Sequence, residues 1–173
     1  MKHSQYALIL LSLLPSMANA HTVHNMTMDW FAGFVHPLQG LDHILTMLAV
    51  GFWAALLRQR AFWLLPLTFL VVMSLGGMVG GLGVELPNAE NCLLMTSAIL
   101  IAFIMKKSVF SISINALIVG CSAFFHGYAH GVELAESSEL LPYSLGFLTS
   151  TLLLHGLGIV LMLMLKQRNA LAQ

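Results

Sequence analysis

The chain has 173 residues, of which 58% are hydrophobic and only 8% are charged, against roughly 25% charged residues in a soluble domain. Its formal net charge is zero and it contains no run of basic residues, which argues against nucleic acid as a partner. A bilayer crossing needs about 20 apolar residues. The composition therefore predicts a small polytopic membrane protein with about five or six helices, for which membrane lipid is a partner.

Residues 1–20 have the pattern of a secretory signal peptide. Lys2 is basic, residues 7–14 are apolar, and Ala18-Asn19-Ala20 forms a small-x-small cleavage site. We therefore expect the mature chain to begin at His21, with residues 21–40 forming a periplasmic arm and an interfacial segment. An uncleaved anchor is the alternative. The aromatic stretch in this segment, broken by Pro37 and Gly40, is too short to cross alone and would be at most a sixth, partial helix.

Five uncharged runs follow, and they predict an all-α bundle of transmembrane helices over residues 41–168 with a cytoplasmic tail at 169–173. The first run is long enough to span only if residues 41–43 belong to its helix. The third has 15 residues, or about 22 Å of helix, and spans only with help from flanking residues. The runs are 44–57, 61–84, 91–105, 108–132 and 140–165.

The basic residues predict the orientation, because Lys and Arg accumulate in cytoplasmic loops. Apart from Lys2, they follow the first, third and fifth predicted helices, and the intervening loops are acidic. This pattern predicts five crossings of a bacterial inner membrane, with the N-terminus in the periplasm and the C-terminus in the cytoplasm. The six residues are Arg58, Arg60, Lys106, Lys107, Lys166 and Arg168.

Four glycines in the second predicted helix form two overlapping GxxxG patterns, which allow another helix backbone to approach closely. Packing within one chain is the favoured interpretation, and a homo-oligomer seam is the alternative. The four glycines are Gly76, Gly77, Gly80 and Gly81.

Histidine is the unusual residue, since the eight histidines outnumber the seven lysines and arginines together. Ionisable residues in membrane spans usually mark an ion or substrate path. His126 and His130 are one helical turn apart, about 6 Å, which allows two imidazoles to share one metal ion. Glu133 lies on the same stripe. Asp42, beside His43, is placed to act with a neighbouring helix, either as a ligand or as the acceptor that fixes a histidine tautomer.

The predicted topology places most candidate ligands at the outer side of the membrane, while His155 lies about 22 Å along the last helix. Such a row suits a cation that loses its water as it moves inward. Imidazole and carboxylate without thiolate suit Ni²⁺, Co²⁺ or Zn²⁺, as a transported substrate rather than a permanently bound cofactor. The alternative is structural hydrogen bonding, which for His155 alone is equally favoured. The candidates are His36, Asp42, His43, His126, His130, Glu133 and His155, with His21 in the arm.

These residues also carry a resemblance to the HupE/UreJ family of hydrogenase and urease accessory membrane proteins. The matching motifs are His36-Pro37-x-x-Gly40-x-Asp42-His43 and Phe125-His126-Gly127-x-Ala129-His130-Gly131-x-Glu133, with Leu154-His155. The resemblance implies a secondary permease for nickel, sometimes cobalt, that supplies nickel enzymes. It also implies that transport needs His36, Asp42, His43, His126 and Glu133.

Two other functions remain open from the residues alone. An intramembrane metal-dependent hydrolase would hold Zn²⁺ with His126, His130 and Asp42 and use Glu133 as general base. A membrane metal sensor or metallochaperone would bind the ion without moving it. No nucleotide-binding motif is present, so any ATP coupling would need another subunit. We predict a permease, and no catalytic residues.

Overall fold

The computed structural model describes residues 29–134 and 140–171, so the predicted signal peptide and His21 lie outside the described residues. All regular secondary structure in the described residues is helical, which confirms the all-α prediction. The helices are α1 (Trp30–Gln39), α2 (Leu41–Leu57), α3 (Ala61–Gly81), α4 (Ala89–Met105), α5 (Ile112–Leu134) and α6 (Leu140–Leu171).

The lengths of the helices support a multi-pass membrane protein. Helices α3, α5 and α6 are each long and apolar enough to cross a bilayer. Helices α1 and α2 meet at an angle of 89° and together would make a fourth, broken span. Helix α4 has only 17 residues, so the five predicted crossings require α4 to span with help from its flanks. That number stays a prediction.

The bend between α1 and α2 lies at Gly40 and not at Pro37. Helix α1 continues through Pro37 to Gln39, and Gly40 then takes an extended conformation, with ψ of 124°. Helix α2 begins at Leu41, so Asp42 and His43 occupy its first turn, as the length of the first apolar run required. The bend therefore aims the end of α1 and the start of α2 at the same region.

Glycines set the distances between the helices. A Cβ on Gly76 or Gly80 of α3 would collide with backbone atoms of α5, and one on Gly127 or Gly131 of α5 would collide with those of α3. The glycine pattern thus serves packing within the chain, as favoured above. A homo-oligomer stays a prediction and would need a face other than the one these glycines occupy.

Helix α6 packs in the same way against both halves of the bent pair. Gly33 of α1 lies against the carbonyl group of Tyr143, and Gly51 of α2 lies against that of His155. Helix α1 is therefore part of the bundle. Residues 169–171, predicted as part of a tail, continue α6.

The end of the bundle that carries the basic residues, here called the basic end, is held together by hydrogen bonds from polar side chains. Lys166 Nζ donates to the carbonyl oxygens of Ala55 and Leu56, at 2.8 and 3.2 Å. Trp53 Nε1 donates to the carbonyl oxygen of Ser108 at 3.1 Å. These contacts bring the ends of α2, α4 and α6 together, which places the basic residues on one side, as the positive-inside pattern requires.

Substitution of Gly127 by alanine tests the packing of α3 on α5. The added Cβ would overlap the backbone of Met73, so we expect a loss of about 1–3 kcal/mol in the free energy of unfolding. The matched control is Gly156→Ala, where no atom lies within 4 Å of the new Cβ and helix propensity improves. Thermal unfolding in detergent should show a lower midpoint for Gly127→Ala alone. Equal midpoints would contradict this packing.

A reporter that is active only in the periplasm tests the orientation. Fused after Glu136 it should be active, and fused after Arg168 it should be silent, because the basic end is expected to face the cytoplasm. The reverse pattern would place the end of α5 that precedes the fusion point in the cytoplasm.

Candidate metal site

The polar side chains that the sequence singles out meet at the end of the bundle opposite the basic end, here called the histidine end. Helix α1 contributes His36 from its last turn, α2 contributes Asp42 and His43 from its first turn, and α5 contributes His130 and Glu133 from its last turns. The bend at Gly40 and the glycine contacts of α1 and α2 with α6 bring the first two of these helix ends together. The contact of His130 with Phe147 of α6 places the end of α5 beside them.

The shortest contact in this group joins two histidines from different helices. His43 Nε2 lies 2.8 Å from His130 Nε2. The other nitrogen of each ring faces a carboxylate. His43 Nδ1 lies 2.8 Å from Asp42 Oδ2, and His130 Nδ1 lies 3.4 Å from Glu133 Oε2. Asp42, His43, His130 and Glu133 therefore form one chain of polar contacts, here called the carboxylate–imidazole chain.

The carboxylates determine where the imidazole protons lie. A carboxylate only accepts, so Nδ1 of His43 donates to Asp42, and Nδ1 of His130 is oriented in the same way toward Glu133. Each neutral ring then has its Nε2 lone pair free, and the two lone pairs point at each other. Two acceptors at this distance require a proton or a cation between them. A carboxylate behind each ligating imidazole is the usual support of a metal site.

The distances suit a divalent cation. With metal–nitrogen bonds of about 2.1 Å, two imidazoles at a right angle around one ion have their nitrogens about 3.0 Å apart, close to the observed 2.8 Å. His36 supplies a third donor, since ligand atoms of His36, His43 and His130 all lie within 4.8 Å of one another. His36 Nε2 is also 3.9 Å from Glu133 Oε2. We call His36, His43 and His130 the outer triad.

His126 lies next to the triad and is fully buried. Its Nδ1 donates to the carbonyl oxygen of Ser122 at 2.9 Å, so its Nε2 carries a lone pair that has no partner among the described residues. Its ring centroid is 5.4 Å from that of His43. His130 lies closest to His43, on another helix, and the sharing of one ion by His126 and His130 stays a prediction.

His155 lies deeper in the bundle, on α6, and is fully buried. Neither of its ring nitrogens has a hydrogen-bond partner among the described residues. Phe69 of α3 contacts both inner histidines, with ring centroids 5.0 Å from His155 and 5.9 Å from His126. Sequence reasoning gave no signal for Phe69, because one phenylalanine in an apolar helix resembles any other core residue.

The structure thus brings together six of the eight predicted site residues and places His155 further in. Asp42 was expected to act with a neighbouring helix, as a ligand or as a tautomer-fixing acceptor, but its side chain contacts His43 of its own helix. His21 lies outside the described residues. The six that meet are His36, Asp42, His43, His126, His130 and Glu133.

Comparison with known proteins finds a matching family and a relative. The family described as HupE/UreJ protein matches residues 9–173. Protein HupE of Rhizobium leguminosarum bv. viciae is 43% identical over 160 residues, which cover 92% of this chain and 83% of that protein.

The chain belongs to the HupE/UreJ family. No solved structure matches it. The two histidine motifs of this HupE/UreJ chain supply the outer triad from three separate helices, so the motifs and the cluster of possible metal ligands concern the same residues.

Replacement of Asp42 by asparagine tests the carboxylate–imidazole chain. An amide holds the imidazole of His43 less firmly and with less negative charge, so we expect the affinity for Ni²⁺ to fall about 10–100-fold. The matched control is Asp29→Asn, which removes one acid from the start of α1 but preserves an N-cap, because Asp29 accepts from the Ala32 amide and asparagine caps equally well. Calorimetric titration of the purified protein should separate the two variants. Equal affinities would contradict the role of Asp42.

Proposed function

We propose that the chain is a secondary permease that moves Ni²⁺, with Co²⁺ as the alternative substrate, from the periplasm to the cytoplasm of a bacterium, for nickel enzymes such as hydrogenase or urease. The observation that carries the proposal is the contact between Nε2 of His43 and Nε2 of His130 at 2.8 Å, with a carboxylate behind each ring. This is a site for a divalent cation placed within a membrane bundle.

The choice of metal follows from the ligands. Imidazole nitrogens favour Ni²⁺, Co²⁺ and Zn²⁺ over Mg²⁺ and Ca²⁺, which prefer oxygen. The two cysteines, Cys92 and Cys121, are not among the residues that meet at the histidine end, so the site lacks the thiolate that would favour Cu⁺. Membership of the HupE/UreJ family supports nickel within the remaining group.

The position of the site supports transport. Asp42 and Glu133 are partly exposed, with side chains 41% and 49% accessible, whereas His130 is only 9% accessible. An arriving cation thus meets carboxylates first and imidazoles next. The membrane potential is a sufficient driving force, because a divalent ion gains about 4.6 kcal/mol per 100 mV on moving inward.

A hydrolase is a weaker interpretation of the same residues. Its general base would be Glu133, but that carboxylate faces both His130 and His36, which ties it to the ligands. We therefore assign no enzymatic activity. A sensor or metallochaperone differs from a permease only in the absence of translocation.

Uptake of radioactive Ni²⁺ into proteoliposomes that contain only this protein tests the proposal. The wild type should accumulate Ni²⁺ when the vesicle interior is negative, and His130→Ala should reduce the initial rate at least tenfold, because the outer triad loses one of its three ligands. His130→Gln is the matched control for hydrogen bonding, since glutamine keeps polar contacts but is a poor nickel ligand, and it should be as impaired as His130→Ala.

Normal transport by His130→Gln would show that His130 only forms hydrogen bonds. Binding of Ni²⁺ by the wild type without any accumulation would favour the sensor or metallochaperone.

A further inference from the structure

The described part of the chain contains seven buried side-chain atoms without a hydrogen-bond partner, and six of them belong to residues inward of the outer triad. The seventh is on Asn115, in the first turn of α5 and far from the triad. Unsatisfied buried polar atoms are rare and costly. Their concentration in one region therefore indicates a place where the protein can accept a polar ligand. The residues are Thr46, Ser122, His126, Thr151 and His155.

The buried Ser and Thr hydroxyl groups are the clearest evidence for a ligand site. A helical Ser or Thr normally donates to the carbonyl group one turn earlier, and in this chain Ser74, Thr96 and Thr149 do so, at 2.7–2.8 Å. Thr46, Ser122 and Thr151 are fully buried, where that bond would be most valuable, yet they do not form it. Their oxygens are thus left available to a polar ligand between the helices.

Helix register places these groups at similar depths. Phe147 of α6 contacts His130 of α5, with centroids 4.6 Å apart. One turn inward from that level, about 6 Å, lie Thr151 on α6 and His126 on α5, and Thr46 lies one turn inward of His43 on α2. A second turn, again about 6 Å, leads to His155 and Ser122.

We propose that Thr46, Thr151 and His126 form a second cation site inward of the outer triad, backed by Ser122 and His155. This proposal rests on the proposed function and names the next place the transported ion occupies. We call these five residues the inner site.

The chemistry of the inner site differs from that of the outer triad. It contains hydroxyl oxygens and imidazoles but no carboxylate, so it binds a divalent cation more weakly and leaves part of its water shell in place. Two divalent ions about 6 Å apart repel strongly, so the two sites are occupied in turn. A weaker second site is what passage requires, because an ion must be able to leave as well as enter.

Binding of Ni²⁺ without the outer triad tests the inner site directly. In nanodiscs, the variant His36→Ala/His130→Ala should still bind one Ni²⁺ per chain, at least tenfold more weakly than the wild type. Adding Thr46→Val and Thr151→Val, which preserve shape and remove both hydroxyls, should abolish that residual binding. Serine at the same two positions should retain it. Thr149→Val is the matched control, since its hydroxyl already donates to the Leu145 carbonyl on the exposed face of α6.

The outcomes separate the inner site from the permease function. Residual Ni²⁺ binding that persists after both threonines are replaced by valine would overturn the inner site. So would the absence of residual binding from both His36→Ala/His130→Ala and a matching His36→Gln/His130→Gln variant. In proteoliposomes, Thr46→Val/Thr151→Val should slow Ni²⁺ uptake at least tenfold without changing the concentration of half-saturation. A wild type that shows the predicted binding but no uptake would refute the permease and leave the inner site standing.

Discussion

Close contact between helix backbones is the constraint on which the site depends. Lipid tails are as apolar as leucine, so helices in a bilayer associate through packing and not through the hydrophobic effect. Here glycines supply that packing at three seams: α3 with α5, α1 with α6, and α2 with α6. The last two seams fix both halves of the bent α1–α2 pair to one helix. His36 and His43 are thereby held together at the histidine end.

At this end the number of protons, and not only the distance, determines what the site does. The chain from Asp42 through His43 and His130 to Glu133 has three polar contacts, whereas two neutral imidazoles carry two protons. One contact therefore lacks a proton when both carboxylates are ionised. A cation between the two Nε2 atoms satisfies that contact, and each carboxylate then stabilises the tautomer that the cation needs.

The sequence was sufficient to predict the helices and most of the candidate residues, but not their pairing. The beginning of α2 at Leu41 followed from the length needed to span, and the stripe of His126, His130 and Glu133 followed from helical periodicity. That His130 would meet His43 depends on how two helices distant in sequence are aligned, and periodicity within one helix does not determine that alignment. The same limit hid Thr46 and Thr151, because only their missing hydrogen bonds distinguish them from other threonines in membrane helices.

The arrangement of charge along the bundle bears on how a bound cation could move through it. Carboxylates occur only near the exposed end of the row, imidazoles follow, and hydroxyl groups with His155 lie further in. Each step inward offers a cation fewer negative ligands. An ion bound most tightly at the mouth would remain there unless something opposed it. The membrane potential and the repulsion from a second arriving ion both oppose it, and an inner site without carboxylates lets the ion continue. A gradient of decreasing negative charge is therefore compatible with the inward movement that we propose.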